Sequence, residues 1–222
     1  MKGRISEVFE SIQGEGIYLG SRQIFVRFHG CNLGCKFCDT KLDDYTEYES
    51  HELLDKIKSF HETFHSISFT GGEPLLQKDF LKEALFYTRC YGFNNYLETN
   101  GTLPDALGEV IDNVDIVAMD LKLPSSTAQG DFWDVHQRFM EIASRKEFFI
   151  KAVVCQDTSE EDIMRVAELI NKTTHAPVVV LQPNAQEESL LSDKLIDFSR
   201  RLKKENITTC VIPQIHKMIG VK

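Results

Sequence analysis

Six short runs of β-branched and aromatic residues, followed by a weaker seventh, alternate along this 222-residue chain with stretches of helical periodicity. The runs are Gln23 to Phe28, Ser66 to Thr70, Asn95 to Thr99, Asp115 to Leu121, Phe148 to Val154 and Val178 to Leu181, then Ile207 to Ile212, each of strand length. Between them, Leu53, Ile57 and Phe60 share one helical face, as do Ile163, Val166, Ala167 and Ile170, and again Leu191, Leu195, Phe198 and Leu202. Ser159, with Asp162 three residues later, predicts a capping box at the start of the second of these helices. Strands alternating with helices build a parallel sheet covered by helices. No Pro-, Gly- or Ser-rich linker, repeat or low-complexity tract interrupts the pattern, so residues 1–222 read as one α/β domain. A complete eight-unit barrel takes about 250 residues. Six or seven units therefore predict an incomplete, open barrel of the (β/α)6 type.

Composition narrows the function classes. The chain has 25 Lys and Arg against 34 Asp and Glu, a formal charge of −9, which disfavours sequence-independent binding to nucleic acid or to an anionic membrane. A hydrophobic content of 42% supports a sizeable core and excludes intrinsic disorder. No run approaches 18 consecutive apolar residues, the length about which a membrane span begins. The N-terminus meets Glu7 and Glu10 before any apolar stretch, unlike a signal peptide, so a cytoplasmic location is expected. Six cysteines in such a chain argue against a disulfide framework. Cys90, Cys155 and Cys210 stand alone and read as small buried hydrophobes.

Active sites of parallel α/β sheets lie at the C-terminal ends of the strands. Here Thr70-Gly71-Gly72-Glu73, Glu98-Thr99-Asn100-Gly101, Asp120-Leu121-Lys122 and Gln182-Pro183-Asn184 place polar or flexible residues where strands run out. Each alone is ordinary turn chemistry; together they predict a ligand-lined rim. Cys31, Cys35 and Cys38 follow the first run with C-x3-C-x2-C spacing, and three such thiols can share one soft metal centre. Zinc would want a fourth ligand, for which only His29, Asp39 and His51 are near. An electron-transfer 4Fe-4S site would normally use four cysteines. Three leave one iron without a protein ligand, useful only if something else binds there.

This cysteine loop, with Gly71-Gly72-Glu73-Pro74 after the second run, resembles the radical S-adenosylmethionine enzymes. The resemblance implies a radical SAM barrel with an N-terminal loop that holds a 4Fe-4S cluster on Cys31, Cys35 and Cys38, and S-adenosylmethionine on the open iron. It assigns Gly72 and Glu73 to the cofactor's ammonium, Phe37, Cys38 and Asp39 to the vicinity of its adenosine, and extends the cofactor site to Lys122, Ser125 and Gln182. A cationic ammonium wants carbonyls and a carboxylate, and glycines let the backbone come close.

Phe9-Glu10-Ser11-Ile12-Gln13-Gly14-Glu15-Gly16, Arg27, Asp39-Thr40, Asp120 to Ser125 and Gln214-Ile215-His216-Lys217 narrow the likeness to the 7-carboxy-7-deazaguanine synthase family. That resemblance implies ring contraction of 6-carboxy-5,6,7,8-tetrahydropterin to 7-carboxy-7-deazaguanine with release of ammonia, in the biosynthesis of queuosine and other 7-deazapurines. It implies substrate contacts from Ile12, Gln13, Gly14, Glu15, Arg27 and Thr70, Mg²⁺ at Thr40, an electron from flavodoxin or ferredoxin, and a homodimer. The residues suit such a ligand. Arg27 shares a strand face with Phe25 and His29, and its fork fits a substrate carboxylate or, equally, an internal Asp or Glu. Thr40 offers a hard oxygen or merely a cap, and His29 reads as structural. Two rivals remain: a glycyl-radical-enzyme activase, and a metal-sulfur binding protein without catalysis.

Overall fold

The computed structural model describes residues 1–38, 40 and 43–221. In chain order its strands are β1 (Lys2–Ile12), β2 (Arg22–Phe28), β3 (Thr46–Glu49), β4 (Ser66–Gly71), β5 (Asn95–Thr99), β6 (Ile116–Asp120), β7 (Glu147–Val154), β8 (Val178–Pro183) and β9 (Thr209–Val211). The helices are α1 (Ser50–Lys58), α2 (Lys78–Cys90), α3 (Pro104–Val110), α4 (Pro124–Thr127), α5 (Trp133–Ala143), α6 (Glu160–Asn171), α7 (Ser192–Lys204) and α8 (Ile215–Ile219).

One nine-stranded sheet runs β3-β1-β2-β4-β5-β6-β7-β8-β9. β2 and β4 to β9 are mutually parallel, while β1 is antiparallel to both β2 and β3. The ends of this order do not pair with each other, so the barrel is open, as the unit count requires. All seven expected strands form. Two more, β1 and β3, had no clean signal. The register of β1 shifts between Ile5 and Glu7, breaking the period-2 alternation that marks a half-buried strand. β3 is only four residues long and half-exposed at the sheet edge.

The two faces of the parallel strands do different things. Ile24, Val26, Phe28, Ile67, Phe69, Leu97, Val117, Met119, Ile150, Ala152, Val179 and Leu181 pack against Leu53, Ile57, Leu81, Leu85, Phe139, Val166, Ile170, Phe198 and Leu202 of the helices. Truncating any such buried Leu or Phe to Ala costs about 2–5 kcal/mol. On the opposite face a smaller apolar cluster of Tyr96, Ile116, Ala118, Phe149 and Val180 plugs the bottom, with Tyr18 packed on it. Further along the same face, two residues on from Tyr96, Ala118, Phe149 and Val180, come Glu98, Asp120, Lys151 and Gln182. Period-2 alternation thus carries the polar residues onto the inner face above a dry plug.

The capping box at α6 forms by half. Ser159 Oγ accepts from Asp162 N at 3.1 Å, but the Asp162 carboxylate is engaged instead by Ser125. The expected burial of the solitary cysteines holds for Cys155, while Cys210 is half-buried and Cys90 is exposed at the last residue of α2.

Candidate active site

The strand ends enclose a cavity of about 530 Å³, within the range that small-molecule sites occupy. Cys31, Cys35 and Cys38 line one part of it, together with Phe37, Thr40 and Gly72. Ile12, Gln13, Gly14, Glu15, Arg27, Thr70, Lys122 and Gln182 line the rest. Asp39 lies outside the described residues.

The approach of β4 to the cysteine loop explains why a glycine stands at its end. A Cβ on Gly72 would come within 2.0 Å of Gly30 O and 3.0 Å of Cys31 N. Glu73 N donates to Gly30 O at 2.8 Å, and Gly72 N to Phe28 O at 3.1 Å. Lys122 sits under the loop, paired with Asp120 at 2.6 Å and with its ammonium 5.5 Å from the centre of the Phe37 ring. Burial pushes the Cys31 and Cys35 thiols up, opposed in part by the Leu33 N–H at Cys31 and by the Lys122 ammonium at both. Soft thiols beside a cation, on a loop that glycines bring against the backbone, are a donor set suited to an anionic iron-sulfur centre. Among the described residues, no group of three His, Cys, Asp or Glu side chains stands ready to hold a metal ion. Among the described residues the zinc alternative gains no fourth ligand: His29 Nδ1 is 3.2 Å from Ser6 Oγ and its ring packs on Tyr45, and His51 is exposed on α1.

Two expected cofactor residues stand apart from the cavity lining. Glu73 is fully buried beneath the cavity, its carboxylate accepting from Leu75 N, Thr99 Oγ1 and Asn100 N at 3.1, 2.9 and 2.7 Å. Burial raises its pKa from 4.5 to about 7 against those hydrogen bonds. It therefore ties β4 to the end of β5 rather than presenting a free carboxylate. Ser125 does not line the cavity. Its N and Oγ donate to Asp162, and its Oγ accepts from Ser159 N, because α4 is a single short turn docked on the start of α6.

The far end is a buried polar floor. Gln13 Nε2 donates to Gln23 Oε1 and Glu98 Oε1, both at 2.9 Å, and Ser68 Oγ donates to Glu98 Oε1 at 3.0 Å. Lys151 Nζ is 2.6 Å from Glu15 Oε2 and 3.5 Å from Glu98 Oε2. Gln214 Nε2 donates to Glu15 Oε1 at 2.6 Å. Burial alone would push the Glu15 carboxyl up, but Lys151 and Gln214 outweigh it and bring the pKa from 4.5 to about 2. Arg27 also lines the cavity. It donates to Glu7 at 3.2 Å and lies 5.6 Å from the Phe9 ring centre, so it has an internal carboxylate as well as cavity exposure.

Sequence reasoning missed Lys151 and His136. Lys151 did carry a signal, as a lone cation in the apolar run Phe148 to Val154. His136 carried none. It accepts from Lys122 N through Nε2 at 3.2 Å, so its Nδ1 is the protonated nitrogen and donates to Gly101 O at 3.0 Å. Burial lowers its pKa to about 4, keeping the ring neutral as a brace between the ends of β5 and β6.

Residues 25–173 match the family model of the radical SAM superfamily, and with the open barrel and three-cysteine loop they define the class of protein. The chain is 36% identical over 242 residues to the 7-carboxy-7-deazaguanine synthase of Geobacter sulfurreducens, covering 97% of this chain and 96% of the relative. To the synthase of Methanothermobacter thermautotrophicus it is 34% identical over 250 residues, covering 100% and 99%. A crystal structure of QueE from Escherichia coli superposes with a TM-score of 0.69 at 26% identity, over 95% of this chain and 94% of that one. This chain belongs to the 7-carboxy-7-deazaguanine synthase family. Membership of the superfamily implies a 4Fe-4S cluster and S-adenosylmethionine. Among the described residues, no helix is long and apolar enough to cross a membrane.

Proposed function

We propose that this protein converts 6-carboxy-5,6,7,8-tetrahydropterin into 7-carboxy-7-deazaguanine with loss of ammonia. One observation carries the reading: a single cavity is lined by the three thiols, by the part-buried carboxylates Glu15 and Glu98, and by Arg27. A pterin ring offers that floor a row of N–H donors, and its carboxylate suits the Arg27 fork. The 4Fe-4S cluster and S-adenosylmethionine, when bound, supply the radical that begins the reaction. The protein's own residues then have simpler tasks. Cys31, Cys35 and Cys38 would ligate the cluster, Gly72 would admit the cofactor's amino end, and Phe37 and Gln182 would line its site. Gln13, Gly14, Glu15, Ile12 and Thr70 would hold the ring against the cofactor, where orientation counts for more than affinity. The buried polar floor also argues against an activase, whose substrate is a protein backbone.

The same reading places Mg²⁺ at the hydroxyl of Thr40, a residue that lines the cavity. It takes a flavodoxin or ferredoxin as reductant and a cytoplasmic location. A homodimer is supported by the apolar hollow that Ile12, Leu19, Ile215, Ile219 and Val221 form at the β1–β2 turn and the C-terminal helix.

The test is anaerobic turnover of reduced, cluster-loaded protein with 6-carboxytetrahydropterin, measured by chromatography of the deazaguanine product. In Arg27→Ala, cofactor cleavage without substrate should persist while KM for the pterin rises at least about tenfold. Absence of product from the unmodified protein overturns the reading. An unchanged KM in Arg27→Ala would assign Arg27 to Glu7 alone.

A further inference from the structure

Lys151 carries a buried charge that the reaction scheme leaves unused. It stands in the middle of β7, in an otherwise apolar run, with its side chain 6% exposed. Its Nζ lies 2.6 Å from Glu15 Oε2 and 3.5 Å from Glu98 Oε2. Those carboxylates arrive from the β1–β2 turn and from β5, and each is also held by neutral donors, Gln214 on Glu15 and Gln13 on Glu98. Burying an ammonium is expensive, and packing alone would be served better by Met or Leu at this position.

We propose that Lys151 is a positioning residue for the ring contraction, clamping Glu15 and Glu98 on one ammonium as a paired acceptor for the N–H edge of a guanidine-like ring. The proposal rests on the pterin reading above. Two carboxylates gathered in a buried pocket repel each other, and without a cation one separates or takes a proton. A protonated carboxyl donates, which opposes an N–H donor where an acceptor is needed. Lys151 thus fixes the hydrogen-bonding sign of the floor, and with it the class of ring that binds.

The groups that face this centre come from every element around it: Glu15 from the turn, Tyr96 and Glu98 from β5, Asp120 and Lys122 from the end of β6, and His216 from α8 beside Glu15. Among them Glu15 depends most directly on the lysine. With Lys151 present its carboxyl lies far below neutrality; with the ammonium gone, burial pushes it up. The acceptor is then lost as pH falls, so a neutral variant gains a pH dependence that the unmodified enzyme lacks, as well as a lower affinity.

The experiment uses cluster-loaded enzyme and 6-carboxytetrahydropterin under anaerobic conditions, with KM and kcat measured from about pH 6 to 9. Lys151→Met should raise KM at least about tenfold at pH 8 with kcat changed by less than about threefold, and KM should climb further as the pH is lowered. The unmodified enzyme should keep a flat KM over that range, and Lys151→Arg should restore most of the affinity and the flat profile. Cluster absorbance and circular dichroism report folding. A KM for Lys151→Met within about twofold of the unmodified value, with a flat profile, overturns the proposal. So does loss of the folded signal in both variants, which would make Lys151 a folding residue. If the unmodified protein cleaves S-adenosylmethionine but leaves the pterin unchanged, the functional reading fails first, and this proposal falls with it.

Discussion

The cysteine loop and the cavity floor sit at opposite ends of one cavity and are built by opposite means. In the loop, Cys31 and Cys38 are exposed, and bonds to its described residues come from the surrounding strand ends and loops: Asn32 Nδ2 to Thr102 Oγ1, Asn100 Nδ2 to Asn32 Oδ1, Lys36 N to Thr127 O and Gln129 Nε2 to Gly34 O among them. At the floor, Gln13, Gln23, Ser68, Glu98 and Lys151 share buried hydrogen bonds drawn from four strands and a turn. A metal centre contributes its own bonds, so a loop that ligates one needs little internal scaffolding. An organic ring contributes only hydrogen bonds and surface, so its site must be organised before it arrives.

The largest expected effect breaks the loop end alone. Cys35→Ala should abolish reductive cleavage of S-adenosylmethionine, and equally Cys31→Ala or Cys38→Ala, with cluster iron lost and the thermal midpoint of the apoprotein little changed. Cys90→Ser, at the exposed end of α2, should behave like the unmodified protein. Iron and sulfide analysis with a cleavage assay decides it: full cleavage in Cys35→Ala removes the loop from the mechanism.

A glycine at each end sharpens the contrast. The Cβ of Gly72→Ala would meet backbone, Gly30 O at 2.0 Å, whereas that of Gly14→Ala would meet a side chain, His216 Nδ1 at 2.2 Å. The backbone around Gly72 is pinned by the Gly72 N and Glu73 N hydrogen bonds and cannot give way, whereas relief at Gly14 requires the short helix α8 to shift, because rotating the His216 ring leaves its Cβ at 2.5 Å. Gly72→Ala should therefore lose about 2–4 kcal/mol of stability and most cofactor binding, and Gly14→Ala less, about 1–2 kcal/mol. Denaturant unfolding of both variants measures this, and equal losses would erase the distinction.

What could be read in advance follows the same divide. Cys31, Cys35 and Cys38 fall within eight residues, so their chemistry is legible in a short window, and the parallel strands announce themselves as apolar runs. The floor is assembled from Gln13, Glu15, Glu98, Lys151 and Gln214, with the bonded pair Glu15 and Gln214 199 positions apart, and only the fold makes them neighbours. The motif residues Gln13 and Glu15 were recognisable through family likeness; Lys151 and His136 belong to no local pattern. Glu73 and Ser125 show the same limit. Their positions along the chain were correct for the rim, but neighbouring elements, β5 for one and α6 for the other, had already claimed their polar atoms.

The two ends also carry buried carboxylates with opposite pH behaviour. Glu73 has a folded pKa raised from 4.5 to about 7 by burial, so its contribution to stability is fully present below about pH 4.5 and is lost as pH rises through 7. That loss is about 3 kcal/mol between pH 5 and 8. Glu15 has a lowered pKa, so its contribution is present above about pH 4.5 and is lost only as pH falls through about 2. Neutral, buried His136, with its pKa lowered to about 4, contributes an opposing rise in stability over the same range, so urea unfolding from pH 5 to 8 should show little net slope in the unmodified protein, a rise in Glu73→Gln, and the unmodified profile in Glu15→Gln. The same profile in all three proteins would remove Glu73 as a source of pH dependence.

The smallest effect concerns Thr40, which lines the cavity beside the cysteine loop and carries the proposed Mg²⁺ on a single hydroxyl. Mg²⁺ keeps most of its waters and takes few protein ligands, so losing one oxygen weakens the site without abolishing it. An ion held there would neutralise substrate oxygens and fix the ring, and both rate and affinity should depend on it. Thr40→Val preserves the branched shape and deletes the oxygen. It should reduce the activity gained on adding Mg²⁺ by about threefold to tenfold, while Thr40→Ser keeps most of that gain. Chelation should lower turnover of the unmodified enzyme with the cluster absorbance intact. An identical Mg²⁺ response in Thr40→Val and the unmodified enzyme would make the hydroxyl a cap on the loop, leaving the floor as the only organised polar site for the substrate.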